Sequence, residues 1–187
     1  VIDNYAAALG GKSKLEAVKT VKTLSTIKVM GMEIEAITLE MAPNKSKAVQ
    51  KIMGQEMVQV FDGEKGYMMQ AGQRMDLPAP AIEEAKKKRL FEVLSYNPAD
   101  FKTVEKVTEE GKELYLLAGA GKKLYFDTKT NLLVKSTSEK GDMVILDYME
   151  VDGIKFPKNL KLAMMGQNME MTNNQVIVNK EVSAEDF

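Results

Sequence analysis

Apolar and polar residues alternate with a period of two through most of the 187-residue chain, the pattern of half-buried antiparallel strands. It is plainest from Asn44 to Tyr67. There Ala48, Gln50 and Ile52 alternate with Lys47, Val49 and Lys51 before the turn Met53-Gly54-Gln55. Beyond it Met57, Gln59 and Phe61 alternate with Glu56, Val58 and Val60, up to a second turn at Asp62-Gly63. The same Met-Gly centre recurs in Val29-Met30-Gly31-Met32 and Met164-Met165-Gly166-Gln167, so the spacing predicts a meander of hairpins.

Two strands flank the first of these turns between Val21 and Met41, and Tyr67–Gln70 forms a short one. After Pro98 the alternation predicts Phe101–Val107, Glu113–Ala118, Lys123–Asp127, Leu132–Ser138, Met143–Val151, Ile154–Met164 and Met169–Val178. Turn chemistry separates them at Glu110-Gly111, Gly119 to Gly121, Thr130-Asn131, Gly141-Asp142 and Asp152-Gly153. Within Ile154–Met164, Ile154, Phe156, Leu160, Leu162 and Met164 oppose Lys155, Asn159 and Lys161, giving one dry and one wet face. The expectation is a near-continuous antiparallel meander of roughly ten to twelve strands in one domain, 1–187.

Helical spacing interrupts this pattern twice. Ile2 to Leu9 and Lys14 to Val18 read as a short amphipathic segment broken at Gly10-Gly11. Pro78 and Pro80 then introduce AIEEAKKKRLFEVLS, read as one helix from Pro80 to Ser95. Glu83 and Glu84 lie early and Lys86 to Arg89 late, which suits the helix dipole and allows i,i+4 pairs. Its apolar residues, Leu90, Phe91, Val93 and Leu94, crowd the C-terminal half, so the helix is expected to enter the core at that end only.

Composition narrows the chemistry. With 26 basic and 27 acidic residues no global field recruits nucleic acid, and the aromatics do not fall among basic clusters. Cysteine and histidine are absent, which removes thiolate nucleophiles, His-dependent triads and the His-based zinc motifs. No cofactor or metal is expected. Asp62, Asp127, Asp142 and Asp152 each sit in a turn that favours Asp locally, and no paired-carboxylate motif stands out. Gly119 to Lys123 lacks the spacing of a phosphate loop and reads as a hairpin. The Lys86–Arg89 run reads as a solvated helix face, with contact to an anionic headgroup or acidic partner as the alternative.

No apolar run is long enough to span a membrane. The chain opens at Val1-Ile2-Asp3 without a charged or apolar leader, so the expectation is a processed protein or a segment of a longer one. The 14 Met residues remain. Many fill core gaps, but those at hairpin ends would also suit an adaptable apolar cavity.

Several pieces of the chain, in order, resemble the LolA/LolB-like outer-membrane lipoprotein-sorting proteins, in their poorly characterised branch. They are Tyr5 to Gly11 with Lys12, Leu15 and Val18-Lys19, then Ala42-Pro43-Asn44, Asp62-Gly63 with Tyr67, and Asp127 with Leu132 to Lys135. Tyr148 and Val151-Asp152-Gly153-Ile154-Lys155-Phe156-Pro157 complete the set. Two positions depart. Ala42 stands where carriers of the family often place a basic residue that helps gate the lid, and Tyr67 where Trp is common.

The resemblance implies a mainly β (α+β) fold: an open, curved antiparallel half-barrel with helices covering the concave face, in the periplasm or cell envelope. It also implies a hydrophobic cavity for a lipid or lipoprotein acyl chain, without catalysis. Leu90, Phe91 and Leu94 are expected to plug this cavity. Met57, Phe61, Tyr67, Met69 and Phe126 are its candidate lining, together with Phe156, Leu160, Leu162, Met164, Met169 and Met171. Similar domains are also appended to insulinase-type metallopeptidases, so an accessory or interaction domain with an envelope protein partner is the alternative.

Overall fold

A computed structural model describes residues 1–187. Helices α1 (Ile2–Leu9) and α2 (Lys12–Ala17) precede six strands, β1 (Thr20–Val29), β2 (Met32–Met41), β3 (Lys45–Ile52), β4 (Gln55–Phe61), β5 (Gly66–Gln70) and β6 (Gln73–Asp76). Helix α3 (Ala79–Lys87) follows, and then seven more strands. These are β7 (Phe101–Glu109), β8 (Lys112–Gly119), β9 (Lys122–Asp127), β10 (Leu133–Ser138), β11 (Gly141–Val151), β12 (Ile154–Met164) and β13 (Gln167–Val178).

All thirteen strands form one open antiparallel sheet, β6-β5-β4-β3-β2-β1-β13-β12-β11-β10-β9-β8-β7. The strand that alternation did not mark is β6, whose four residues are all exposed. Because β1 pairs with β13, the first half of the chain runs outward to one sheet edge and the second half starts from the other. Residues 77–100 therefore cross the open side as a strap between the two edges. The half-barrel expected from the resemblance is the architecture observed, with α1 and the strap on its inner face.

Two-residue turns make most of the hairpins. Met30-Gly31, Met53-Gly54, Glu110-Gly111, Asp152-Gly153 and Met165-Gly166 all hold both central residues at positive φ. Backbone twist in such turns matches that of the flanking strands. At Gly10, which ends α1, a Cβ would approach the Gly153 carbonyl oxygen to 2.6 Å, so glycine lets α1 lie directly on the β11–β12 hairpin.

The helix expected over Pro80–Ser95 is shorter. It ends at Lys87, the backbone is extended at Lys88 and at Phe91 with a bend at Leu90–Phe91, and a 3-10 turn spans Glu92–Ser95. Residues two apart on a helix point about 200° from one another, so a continuous helix could not bury both Phe91 and Val93. The break in the helix does so, and both are buried, while α3 itself buries nothing.

The main core lies between α1, Leu15 of α2, the strap around Phe91 and Val93, and strands β7–β13, continuing to Val21 of β1. Tyr5 meets Phe126 with ring centroids 5.1 Å apart, and Phe91 meets Phe156 at 5.7 Å. A second, small cluster joins Ile27, Ile34 and Ala36.

Candidate functional site

Residues directly opposite on neighbouring strands share a face of the sheet, so the register identifies what lines each side. Val21, Glu40, Ser46, Phe61 and Gly66 form one row across β1–β5 on the inner face. Ser25, Ala36, Gln50, Met57 and Gln70 form another. On β11–β13 the same face carries Ile145, Leu160 and Met171, then Met143, Leu162 and Met169. The row Leu24, Ile37, Val49, Val58 and Met69 lies on the outer face.

The structure thus places the candidate lining residues in three settings. Phe126, Phe156 and Leu160 are buried in the filled core with Phe91, and Leu90, Leu94 and Met171 pack against its margin. Phe61 is buried on the inner face of β4, where Met57 is half-buried. Leu162 and Met169 are half-buried and Met164 is exposed toward the β12–β13 tip. Tyr67 and Met69 instead point to the outer face, and the Arg74 guanidinium sits 3.9 Å from the Tyr67 ring centroid. No single void joins the set. Met57 borders a recess of about 360 Å³, and Tyr67 a separate cleft of about 520 Å³ with Leu77, Ile82 and Phe187.

Beneath the strap lie polar groups that no local sequence pattern announced. Tyr5, Tyr96 and Tyr148 come from α1, the strap and β11. Burial pushes the Tyr5 hydroxyl up to about 12, and burial likewise raises those of Tyr96 and Tyr148. Tyr148 donates to the Leu133 carbonyl at 2.8 Å. Burial also raises the Glu40 carboxyl above its ordinary range, partly offset by Lys88 on the strap.

Ion pairs tie the strap to the rim of the sheet. Glu92 pairs with Lys122 at 2.8 Å, and Glu84 pairs with Lys140. The turn carboxylates are structural. Asp62 accepts from the N–H groups of Glu64 and Lys65, each at 2.8 Å, and Asp127 accepts from those of Lys129 at 2.9 Å and Thr130 at 2.8 Å. Those bonds hold both carboxyls below the usual range. No group of three acidic, His or Cys side chains is placed to hold a metal, and no helix is long and apolar enough to cross a membrane.

No family model matches the sequence, and no curated protein matches it. Solved structures do. A domain from Vibrio parahaemolyticus named for outer membrane lipoprotein sorting aligns over 99% of this chain and 94% of its own, with a TM-score of 0.63 at 9% identity. A DUF1329 family protein from Desulfovibrio piger aligns over 97% and 93%, with a TM-score of 0.59 at 8% identity. At such identities the likeness establishes the fold, a LolA-like open sheet with its helices on one side.

Proposed function

We propose that the protein is a non-enzymatic, periplasmic binding domain that holds an acyl chain of a lipid or lipoprotein on the inner face of the half-barrel. The observation that carries this is the strap. It crosses the open side from edge to edge, yet only its middle, around Phe91 and Val93, is buried. Helix α3 buries no residue and is tied to the sheet by Asn44, which donates to the Lys86 carbonyl, and by the Glu84–Lys140 ion pair. A cover so lightly seated can lift, and the face beneath it is apolar on β11–β13 and mixed on β2–β4, where Ala36, Ala48, Met57 and Phe61 stand beside Glu40, Gln50 and Gln59. Burying apolar ligand surface there supplies affinity at about 25 cal/mol per Å².

Phe91 serves as the stopper, occupying space beside Phe156 that a chain would take. Phe91→Ala is expected to destabilise the empty protein by about 3–5 kcal/mol, less if the strap settles inward. It is also expected to bind a fluorescent fatty-acid probe more tightly than wild type. Thermal melting and probe titration measure the two effects, and a variant that is less stable but binds no better overturns the stopper.

One observation favours a second reading, an interaction domain within a larger envelope protein. The outer-face row at Leu24, Ile37 and Val49 borders a groove of about 510 Å³, and Ile37 is exposed.

A further inference from the structure

One buried side-chain polar atom lacks a hydrogen-bond partner: the hydroxyl of Tyr96. Such orphans are rare in native folds and call for a cause. The ring is held from two sides. Lys122 Nζ lies 4.5 Å from its centroid, and Phe101 meets it edge-on at 5.9 Å. The hydroxyl therefore cannot swing out to solvent without the strap moving. Its nearest carboxylate, Glu92, lies close enough to raise the phenol but makes no bond to it in hydrogen-bond geometry, and Lys122 engages that carboxylate at 2.8 Å. Tyr148, a phenol close by on β11, donates its proton to the Leu133 carbonyl. That leaves one phenol without a partner in hydrogen-bond geometry, where the filled core meets the strap.

Tyr96 also forms part of the wall of a cleft of about 540 Å³, with Ser95, Asn97, Lys122 and Ser138 as polar neighbours. Polar cleft and apolar core thus meet at one phenol. A ligand with a hydrocarbon chain on one side of a hydrogen-bond acceptor and a polar head on the other matches that order.

We propose that Tyr96 anchors the neutral carbonyl oxygen of a fatty-acyl ester or amide, so that the chain runs inward beside Phe91 and the head group stays in the cleft. This rests on the acyl-binding function above and narrows it to a class. A bare hydrocarbon leaves the donor unused. A free carboxylate or phosphate would sit desolvated beside Glu92, whose own charge already consumes Lys122. An uncharged carbonyl satisfies the phenol at no such cost.

The test uses the whole protein and three ligands of equal chain length: methyl laurate, laurate and dodecane, each displacing a bound apolar naphthylamine dye. Wild type is expected to prefer the ester over both others by about tenfold, the order of one uncharged hydrogen bond. Tyr96→Phe is expected to bring ester and alkane to parity while the melting temperature of the empty protein holds or rises, because no bond is lost. Tyr148→Phe, which does lose a bond, is expected to melt lower and keep the preference. An ester preference that survives Tyr96→Phe overturns the anchor. So does a lower melting temperature for that variant, since the hydroxyl would then be satisfied without ligand. If wild type binds neither dye nor ligand, the acyl-binding function fails as well.

Discussion

The two halves of the sheet are built from the same hairpins but buried to different depths. Strands β7–β13 carry most of the main core, from Phe101 through Phe126 and Phe156 to Val178, sealed by α1 and the 3-10 turn of the strap. On β2–β6 only Ile34, Ala36, Val60, Phe61 and Gly66 are buried. Every residue of β3 but the exposed Lys51 is half-covered. The difference follows from what lies on the inner face. Helix α1 presents Tyr5, Ala6 and Leu9 to the second half, while α3 presents nothing buried to the first. One half is thus a tightly covered scaffold and the other a partly uncovered surface.

The sharpest way to break that comparison is to truncate one side chain in each half. Phe126, with no exposed surface, is expected to cost about 3–5 kcal/mol on replacement by Ala, and half-buried Met57 under half of that. Urea denaturation of Phe126→Ala and Met57→Ala measures both. Equal costs would show that the first half is as tightly built as the second.

A smaller effect compares two matched turns, Asp62 in the first half and Asp127 in the second. Both folded carboxyls titrate below their ordinary value through bonds from backbone N–H groups, with Lys65 leading for Asp62 and Thr130 for Asp127. A depressed acid adds stability that is present above its unfolded value near ~3.9 and is lost as pH falls through the lower, folded one. Each exposed turn is worth about 1 kcal/mol after allowance for solvent screening. Asp127→Ala is expected to lower global stability by that amount at neutral pH and to lose the penalty in acid. Asp62→Ala is expected to accelerate amide exchange in β4 and β5 while leaving the global transition nearly unmoved. If both substitutions shift the global transition alike, the sheet unfolds as one unit.

The smallest effect sits where the halves meet under the strap. Burial raises the Glu40 carboxyl, so this group favours the folded state below its unfolded value, and that contribution is lost as pH rises through the folded one. Glu40→Gln is therefore expected to melt slightly higher than wild type at neutral pH and equally in acid. A lower melting temperature at neutral pH would mean that attraction to Lys88 outweighs desolvation.

Much of the architecture was legible in local chemistry. Alternation across Lys45–Phe61 and Ile154–Met164, with Met-Gly and Asp-Gly turns between strands, marked the hairpins and their dry faces, because a strand reports its two sides every second residue. The absence of His and Cys removes imidazole and thiolate chemistry from the chain. Four exposed residues at Gln73–Asp76 carried no such alternation, and so β6 was not marked. Tyr67 and Met69 looked like cavity residues, but parity along a strand tells which residues share a side and not which side faces inward.

That choice, like the site itself, belongs to the tertiary structure. The pairing of Val21 with Val178 joins residues 157 positions apart, and it alone sets the two edges that residues 77–100 must bridge. The break after Lys87 arises because Phe91 and Val93 both find space in a core assembled by distant strands, against a local preference for helix. The same assembly brings Tyr5, Tyr96 and Tyr148 together and leaves one hydroxyl without a partner. Hydrogen-bond partners and depth of burial are properties of what the fold places alongside a residue, and no local pattern carries them.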